Sequence, residues 1–187
     1  MMPLQIVQLE TGKKKRKSAS RAHLHLVSPA TAAEVTIREA LPGDVEEMHT
    51  LLEGFARQGL LLPRAVEEVY RNFREFVIAE HDGRIVGCCG LRLYTPKLGE
   101  IVALAVSDES HGRGVGRLMV ESLLVQAKAL GLEQVIALTL QPGFFAKLGF
   151  DEVNVADYPH KVMADCSRCA RRATCNEIAF KYDLVGA

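Results

Sequence analysis

The 187-residue sequence has no apolar run of the length that a transmembrane helix requires, and it lacks the apolar core of a signal peptide. It has no net charge either, since 23 basic residues balance 23 acidic ones, so the overall composition does not indicate nucleic-acid binding. No internal repeat is present. These absences argue against a membrane or repeat protein, and we expect a soluble, cytoplasmic one.

The five cysteines are odd in number and are not accompanied by a secretory signal, which argues against a disulfide scaffold and for reduced thiols. Cys88 and Cys89 lie in the middle of a predicted strand, where they are expected to be buried as small apolar residues.

The other three cysteines form the pattern Cys166-x2-Cys169-x5-Cys175, and His160 lies upstream. These are zinc-ligand types at close spacing, and Asp165 is a further candidate for the fourth ligand. Only one CxxC pair is present, so two interpretations stay open: a structural metal such as zinc, or a set of reduced thiols that pack or react.

The basic residues are concentrated at the start of the chain, where residues 1–33 carry six basic residues and one acidic residue. This segment includes the run from Lys13 to Lys17 and has few apolar residues to bury, so we expect a flexible basic tail. A nuclear-import or nucleic-acid-binding patch is the alternative. The predicted domain spans residues 34–187, with a cysteine-containing loop at 156–175.

Hydrophobic periodicity divides this domain into strands and helices. A helix is expected after Asp44, the predicted N-cap with Glu47 in a capping box, and should end at Gly59. The Asp82-Gly83 pair predicts a tight hairpin. Further strands are expected at 34–39, 99–106, 134–140, 150–155 and 176–184, and further helices near 64–73, 115–131 and 143–149. This order predicts an α/β fold with a mixed, mostly antiparallel central sheet and helices on both faces.

A glycine-rich loop, His111-Gly112-Arg113-Gly114-Val115-Gly116-Arg117, lies between a predicted strand and a long predicted helix. Glycines let a ligand approach the backbone, and the start of a helix offers free N–H groups and a positive dipole, so the loop predicts a phosphate or pyrophosphate site. A P-loop would continue with Lys-Ser/Thr, and a dinucleotide fingerprint would have another spacing and position. A plain turn remains an alternative.

The stretch "LAVSDESHGRGVGRLMVESLLVQAKALG" resembles the cofactor motif R/Q-x-x-G-x-G/A of the GNAT N-acetyltransferase superfamily, with His111 at the usual Arg/Gln position. The order of predicted elements over residues 34–184 also matches that family. The resemblance implies that acetyl-CoA is the cosubstrate. It places the cofactor along the strand of Leu104, Ala105 and Val106, with its pyrophosphate on the backbone of residues 112–117.

Longer stretches, among them "IVGCCGLRLYTPKLGEIVALAV" and "ALTLQPGFFAKLGF", resemble the acetyltransferase domain of the bacterial N-acetylglutamate synthases in a short, stand-alone form. The resemblance implies direct acetyl transfer to the α-amine of L-glutamate, the first step of arginine biosynthesis. It places a catalytic base at Glu100, for which the alternative is a surface carboxylate at a strand edge. No general acid is assigned.

A dicarboxylate substrate is bound best by guanidinium groups, which pair with both oxygens of a carboxylate. Arg64 matches a substrate-binding position of the resembling synthases, and its alternative is an exposed residue in the first turn of a helix. Arg92, on a strand beside the expected cleft, is a second candidate for substrate binding.

Two rival functions remain open at this level. One keeps the fold and changes the acceptor to another small amine or to a protein N-terminus. The other is a regulator that binds metal or nucleic acid through the cysteine segment and the basic tail, on an inactive GNAT fold. A homodimer is possible, and no membrane partner is expected.

Overall fold

The computed structural model describes residues 34–185, so the predicted basic tail lies outside the described residues. The strands are β1 (Thr36–Glu39), β2 (Phe76–His81), β3 (Arg84–Thr95), β4 (Leu98–Val106), β5 (Gln134–Thr139), β6 (Asp151–Val153) and β7 (Ile178–Asp183). The helices are α1 (Val45–Arg57), α2 (Val66–Asn72), α3 (Val115–Ala129), α4 (Pro142–Lys147) and α5 (Pro159–Ala164).

All seven strands form one sheet in the order β1-β2-β3-β4-β5-β7-β6. Neighbouring strands run antiparallel except β4 and β5, which are joined by the α3 crossover and pair in parallel. The predicted mixed, mostly antiparallel sheet is therefore confirmed.

Local sequence features account for the turn between β2 and β3 and for the start of α1. Asp82 and Gly83 adopt φ angles of 48° and 72°, as the predicted hairpin between β2 and β3 requires. Helix α1 begins after Asp44 as predicted, but the Asp44 carboxylate does not cap it. That carboxylate instead accepts a 2.7 Å bond from the Leu41 N–H and pairs with the Arg38 guanidinium.

Two apolar layers cover the two faces of the sheet, so the predicted placement of helices on both faces is confirmed. The layer beneath α3 contains Met119, Leu123 and Ala127, whereas the layer beneath α1 and α2 contains Met48 and Val69. The predicted burial of the adjacent cysteines is also confirmed: Cys88 and Cys89 are both 0% exposed and belong to opposite layers.

The segment predicted as a cysteine-containing loop is more ordered than expected. It contains the short helix α5, which begins at Pro159, and single 3₁₀ turns at Cys166–Arg168 and Arg172–Thr174. Within residues 34–185 no helix is both long enough and apolar enough to cross a membrane.

Leu123→Ala is expected to lower the free energy of unfolding by about 2–5 kcal/mol, because it removes a completely buried side chain from the layer beneath α3. Urea denaturation followed by circular dichroism measures this loss. Val125→Ala is the matched control, since Val125 lies on the same helix and is 71% exposed; its effect should stay below about 0.5 kcal/mol. Equal losses in the two variants would contradict the described packing of α3.

Candidate active site

Strands β4 and β5 pair over four residues and then separate. Their register runs from Leu98 opposite Gln134 to Ile101 opposite Ala137, although β4 continues to Val106. Just beyond this point β4 contains a bulge, in which three residues of β4 pair across the length of two residues of β3. Ala103 has a φ of 52° there, which is rare for a residue with a Cβ. The second half of β4 therefore offers backbone groups along the edge that faces away from β3.

The glycine loop lies where β4 leads into α3. Gly112 and Gly114 have φ angles of 72° and 86°, which side chains rarely tolerate, and a Cβ on Gly112 would meet open space. Helix α3 begins at Val115 and carries no acidic residue in its first turn, so its free N–H groups are not opposed by a carboxylate. The backbone geometry and the local charge fit a bound phosphate group.

The residues predicted to contact the cofactor divide into buried and exposed sets. Ala105, Val106 and Val115 are buried, so they would contact a ligand through their backbone. The residues that present open surface to solvent are His111, Gly112, Arg113, Gly114 and Arg117, and two more, Leu104 and Gly116, are partly exposed. The Arg117 guanidinium lies 2.7 Å from the Glu121 carboxylate in an exposed pair.

A pocket of about 810 Å³ opens on the sheet face that α2 and α5 flank. It is lined by Glu68, Asn72, Glu75, Arg92, Leu93, Tyr94, His160, Met163, Ala164, Asp165 and Arg168. Three carboxylates thus face two guanidinium groups. Leu93 and Met163 are 52% and 73% exposed, which makes part of the rim apolar.

Glu100 lies on β4 beside this pocket, directly opposite Arg92 of β3. It is only 3% exposed, so it is not the surface carboxylate of the alternative interpretation. Its Oε2 accepts hydrogen bonds from the Lys161 Nζ at 2.8 Å and from the Tyr94 hydroxyl at 2.5 Å. Burial raises the pKa of the Glu100 carboxyl, although the Lys161 charge and the two hydrogen bonds oppose the rise.

Tyr94, Lys161 and Asp165 form a connected polar cluster around Glu100. The Lys161 ammonium bonds the Asp165 carboxylate at 2.9 Å, and the Tyr94 hydroxyl also contacts that carboxylate. Burial, followed by the charges of Glu100 and Asp165, raises the pKa of Tyr94, so the phenol stays protonated. The pKa of Lys161 is also raised, because the neighbouring carboxylates outweigh the opposing effect of burial.

The two arginines predicted to bind substrate are already paired with carboxylates of this chain. The Arg64 guanidinium lies 2.8 Å from Glu68 and does not line the pocket, although Glu68 does. Arg92 lines the pocket and lies 3.4 Å from Glu75 and 3.8 Å from Asp165. Their roles in substrate binding stay predictions.

Sequence reasoning missed Lys161 and Tyr94 altogether and considered Asp165 only as a metal ligand. The available signal was the i,i+4 spacing of Lys161 and Asp165, which is typical of an ion pair on a helix. That signal was hidden because α5 has only six residues, too few for a clear hydrophobic period.

The structure does not assemble the predicted zinc site. No group of three or more His, Cys, Asp or Glu side chains between residues 34 and 185 is placed to hold a metal ion. Cys166 begins one 3₁₀ turn and Cys175 follows another, exposed and 3.8 Å from a Glu177 oxygen, while His160 faces the pocket. Cys166, Cys169 and Cys175 are free thiols here. The described arrangement therefore does not support the metal interpretation, which stays a prediction.

Arg171, in the same segment, connects it to the loop between α1 and α2. Its guanidinium donates to the carbonyl oxygens of Gly59 at 2.8 Å and Leu61 at 3.2 Å. The segment after α5 and the segment before α2 are therefore bonded to each other.

Comparisons with known proteins agree with this geometry. Residues 45–150 match the Acetyltransferase (GNAT) family. An uncharacterised N-acetyltransferase of Chlorobaculum tepidum is 38% identical over 82% of this chain and 99% of its own length. An amino-acid acetyltransferase of Neisseria meningitidis is 34% identical over 71% of this chain, but the match spans only 31% of that protein.

A solved structure of N-acetylglutamate synthase from Neisseria gonorrhoeae, complexed with coenzyme A and N-acetyl-glutamate, superposes with a TM-score of 0.73 at 29% identity. The match covers 83% of this chain and 36% of that one. The separated β4 and β5, the glycine loop before α3 and these similarities lead to one conclusion: the chain is an N-acetyltransferase and belongs to the acetyltransferase (GNAT) family.

Proposed function

We propose that the enzyme transfers the acetyl group of acetyl-CoA to the α-amine of L-glutamate, and so makes N-acetylglutamate for arginine biosynthesis. The observation that carries the proposal is the buried Glu100 carboxylate beside an open pocket, one residue before the last pairing of β4 with β5. The similarity to an amino-acid acetyltransferase and to a synthase complexed with N-acetyl-glutamate supports the choice of acceptor.

Glu100 has the properties of a general base. An amino group is mostly ammonium at neutral pH and attacks only after it loses a proton, so a carboxylate must lie within reach directly or through one water. Burial raises the pKa of Glu100, which makes this carboxylate a better proton acceptor than an exposed one. The two bonds at Oε2 hold the group in one orientation.

Acetyl-CoA would supply the acetyl group as an activated thioester. The glycine loop from Gly112 to Gly116 would hold its pyrophosphate, since this loop combines positive φ angles with the start of a 15-residue helix. Backbone N–H groups between Leu104 and Val106, beyond the point where β4 leaves β5, are the donors available to an oxygen that gains negative charge.

Arg92 is the better placed of the two predicted substrate-binding cations, because it lines the pocket directly. Its ion pairs with Glu75 and Asp165 hold the guanidinium 3.4 to 3.8 Å from carboxylate oxygens, which leaves donors for a substrate carboxylate. Arg64 would have to turn away from Glu68 to take part.

A second candidate acceptor is an amine without a carboxylate, such as a polyamine. The observation that favours it is the charge of the lining, in which Glu68, Glu75 and Asp165 face Arg92 and Arg168. A lining with more carboxylates than cations attracts a cationic acceptor.

An assay of CoA release with acetyl-CoA and a panel of amines is expected to distinguish these two candidate acceptors. We expect CoA release to be fastest with L-glutamate, slower with L-aspartate and L-glutamine, and slowest with spermidine, as measured by thiol detection at saturating acetyl-CoA. Fastest turnover of spermidine would support the second candidate. An absence of turnover with every amine would contradict both.

Glu100→Gln is expected to lower kcat by about 10²- to 10⁴-fold, because the amide cannot accept the proton of the ammonium group. Steady-state kinetics with the preferred amine measures the loss. Glu133→Gln is the control, since Glu133 forms an exposed pair with Lys97 and should retain wild-type kcat. If Glu100→Gln matched wild type, Glu100 would not be the base.

Gly114→Ala is expected to raise the KM for acetyl-CoA, because a Cβ at a φ of 86° distorts the loop that would hold the pyrophosphate. Gly131→Ala is the matched control: Gly131 has a φ of 80° just beyond the other end of α3. Both variants should lose about 1 kcal/mol of stability, whereas only Gly114→Ala should change KM. A similar KM in the two variants would place the cofactor elsewhere.

A further inference from the structure

Lys161 reaches Glu100 from a separate element of the fold. It lies on α5, 61 residues further along the chain, and its Nζ is 2.8 Å from the Glu100 Oε2. Its side chain is only 11% exposed, and a buried ammonium group is costly unless it is paired. The pairing of these two groups is therefore a fixed feature of the fold rather than a surface contact.

Lys161 is itself held on three sides. It bonds Asp165, one turn later, at 2.9 Å, and its Nζ lies 5.7 Å from the centre of the Tyr94 ring. Tyr94 donates to the same oxygen of Glu100 at 2.5 Å. In the described part of the chain, the hydrogen bonds of the Glu100 side chain are made by Oε2, so Oε1 lies outside this network.

This arrangement solves a problem that burial creates for a base. A carboxyl that is 3% exposed is driven towards its protonated form, which cannot accept a proton. An ammonium group 2.8 Å away favours the ionised form and opposes that drive. The same contact binds Oε2, whereas Oε1 takes no part in the hydrogen bonds to Lys161 and Tyr94.

We propose that Lys161 is the positioning residue of this active site: its ammonium group keeps Glu100 ionised and fixes Oε2, so that Oε1 accepts the proton of the acceptor amine. Tyr94 assists through its bond to the same oxygen. In this step an N–H bond of the acceptor breaks and an O–H bond forms at Oε1, while Lys161 keeps all its protons. The proposal rests on the proposed role of Glu100 as the base.

Besides Lys161, several other charged or titratable groups face Glu100, and they lie on the elements that pack against Glu100. They are Arg92 and Tyr94 on β3, Asp165 after α5, Cys166 in the following 3₁₀ turn, and Glu75, which reaches the cluster through Arg92. Arg92 acts in the same direction as Lys161, whereas Asp165 opposes it.

The pH dependence of kcat/KM for the acceptor tests the proposal, because its acidic limb reports the base of the free enzyme. In Lys161→Met we expect the acidic limb to move to higher pH by about one pH unit or more. At a pH on this limb, kcat/KM should then be lower than in wild type by about tenfold for each pH unit of the shift. Lys161→Arg, which keeps the charge, should return the limb towards wild type. Lys97→Met is the control, since Lys97 pairs with exposed Glu133, and its limb should not move.

A purely structural role for Lys161 would lower activity at every pH and leave the limb in place, which would overturn the proposal. Failure of Lys161→Arg to restore the limb would also overturn it. If Lys161→Met does not fold, Tyr94→Phe provides the test, because it removes one hydrogen bond to Oε2 and keeps the ring. Its acidic limb is expected to move to higher pH by less than about one pH unit. An acidic limb that does not move contradicts the proposal.

The amine used in these profiles is the one that wild type acetylates fastest. A preference for an amine other than glutamate therefore refutes the proposed acceptor without affecting the test of Lys161. An absence of turnover in wild type refutes the proposed reaction, and with it the role of both residues.

Discussion

The separation of β4 from β5 after Ile101 is the constraint on which the rest of the site depends. Two strands joined by a crossover helix pair in parallel, yet here the pairing covers only four positions. Because the strands part, three structural features follow one another along β4 and just past its end. It has Glu100 where it is paired, open backbone where it is not, and the glycine loop just past its end.

Around Glu100 the structure places more charge in a confined space than a stable core needs. Lys161 and Arg92 face Glu100, Asp165 and Glu75, and Tyr94 lies among them. Ion pairs of this kind contribute little net stability, because the loss of hydration offsets the attraction, but an unpaired member is strongly destabilising. The cluster is better understood as a means of holding each group in one ionisation state and one orientation.

The features that could be predicted from sequence are those set by neighbours along the chain. The hairpin at Asp82-Gly83, the glycine loop before α3 and the mixed sheet all follow from local backbone preferences and from periodicity, and all are present. The Glu100 partners could not be found this way. Tyr94 meets Glu100 through the β3–β4 register, and Lys161 meets it only after α5 packs against the sheet.

The Arg171 bonds to Gly59 and Leu61 have a mechanical consequence. They join segments more than 100 residues apart in sequence, one leading into α2 and the other following α5. The loop that leads into α2 and the segment that follows α5 therefore separate only if two hydrogen bonds from one guanidinium group break together. Helices α2 and α5 both line the pocket, so this one side chain connects the chain segments on its two sides.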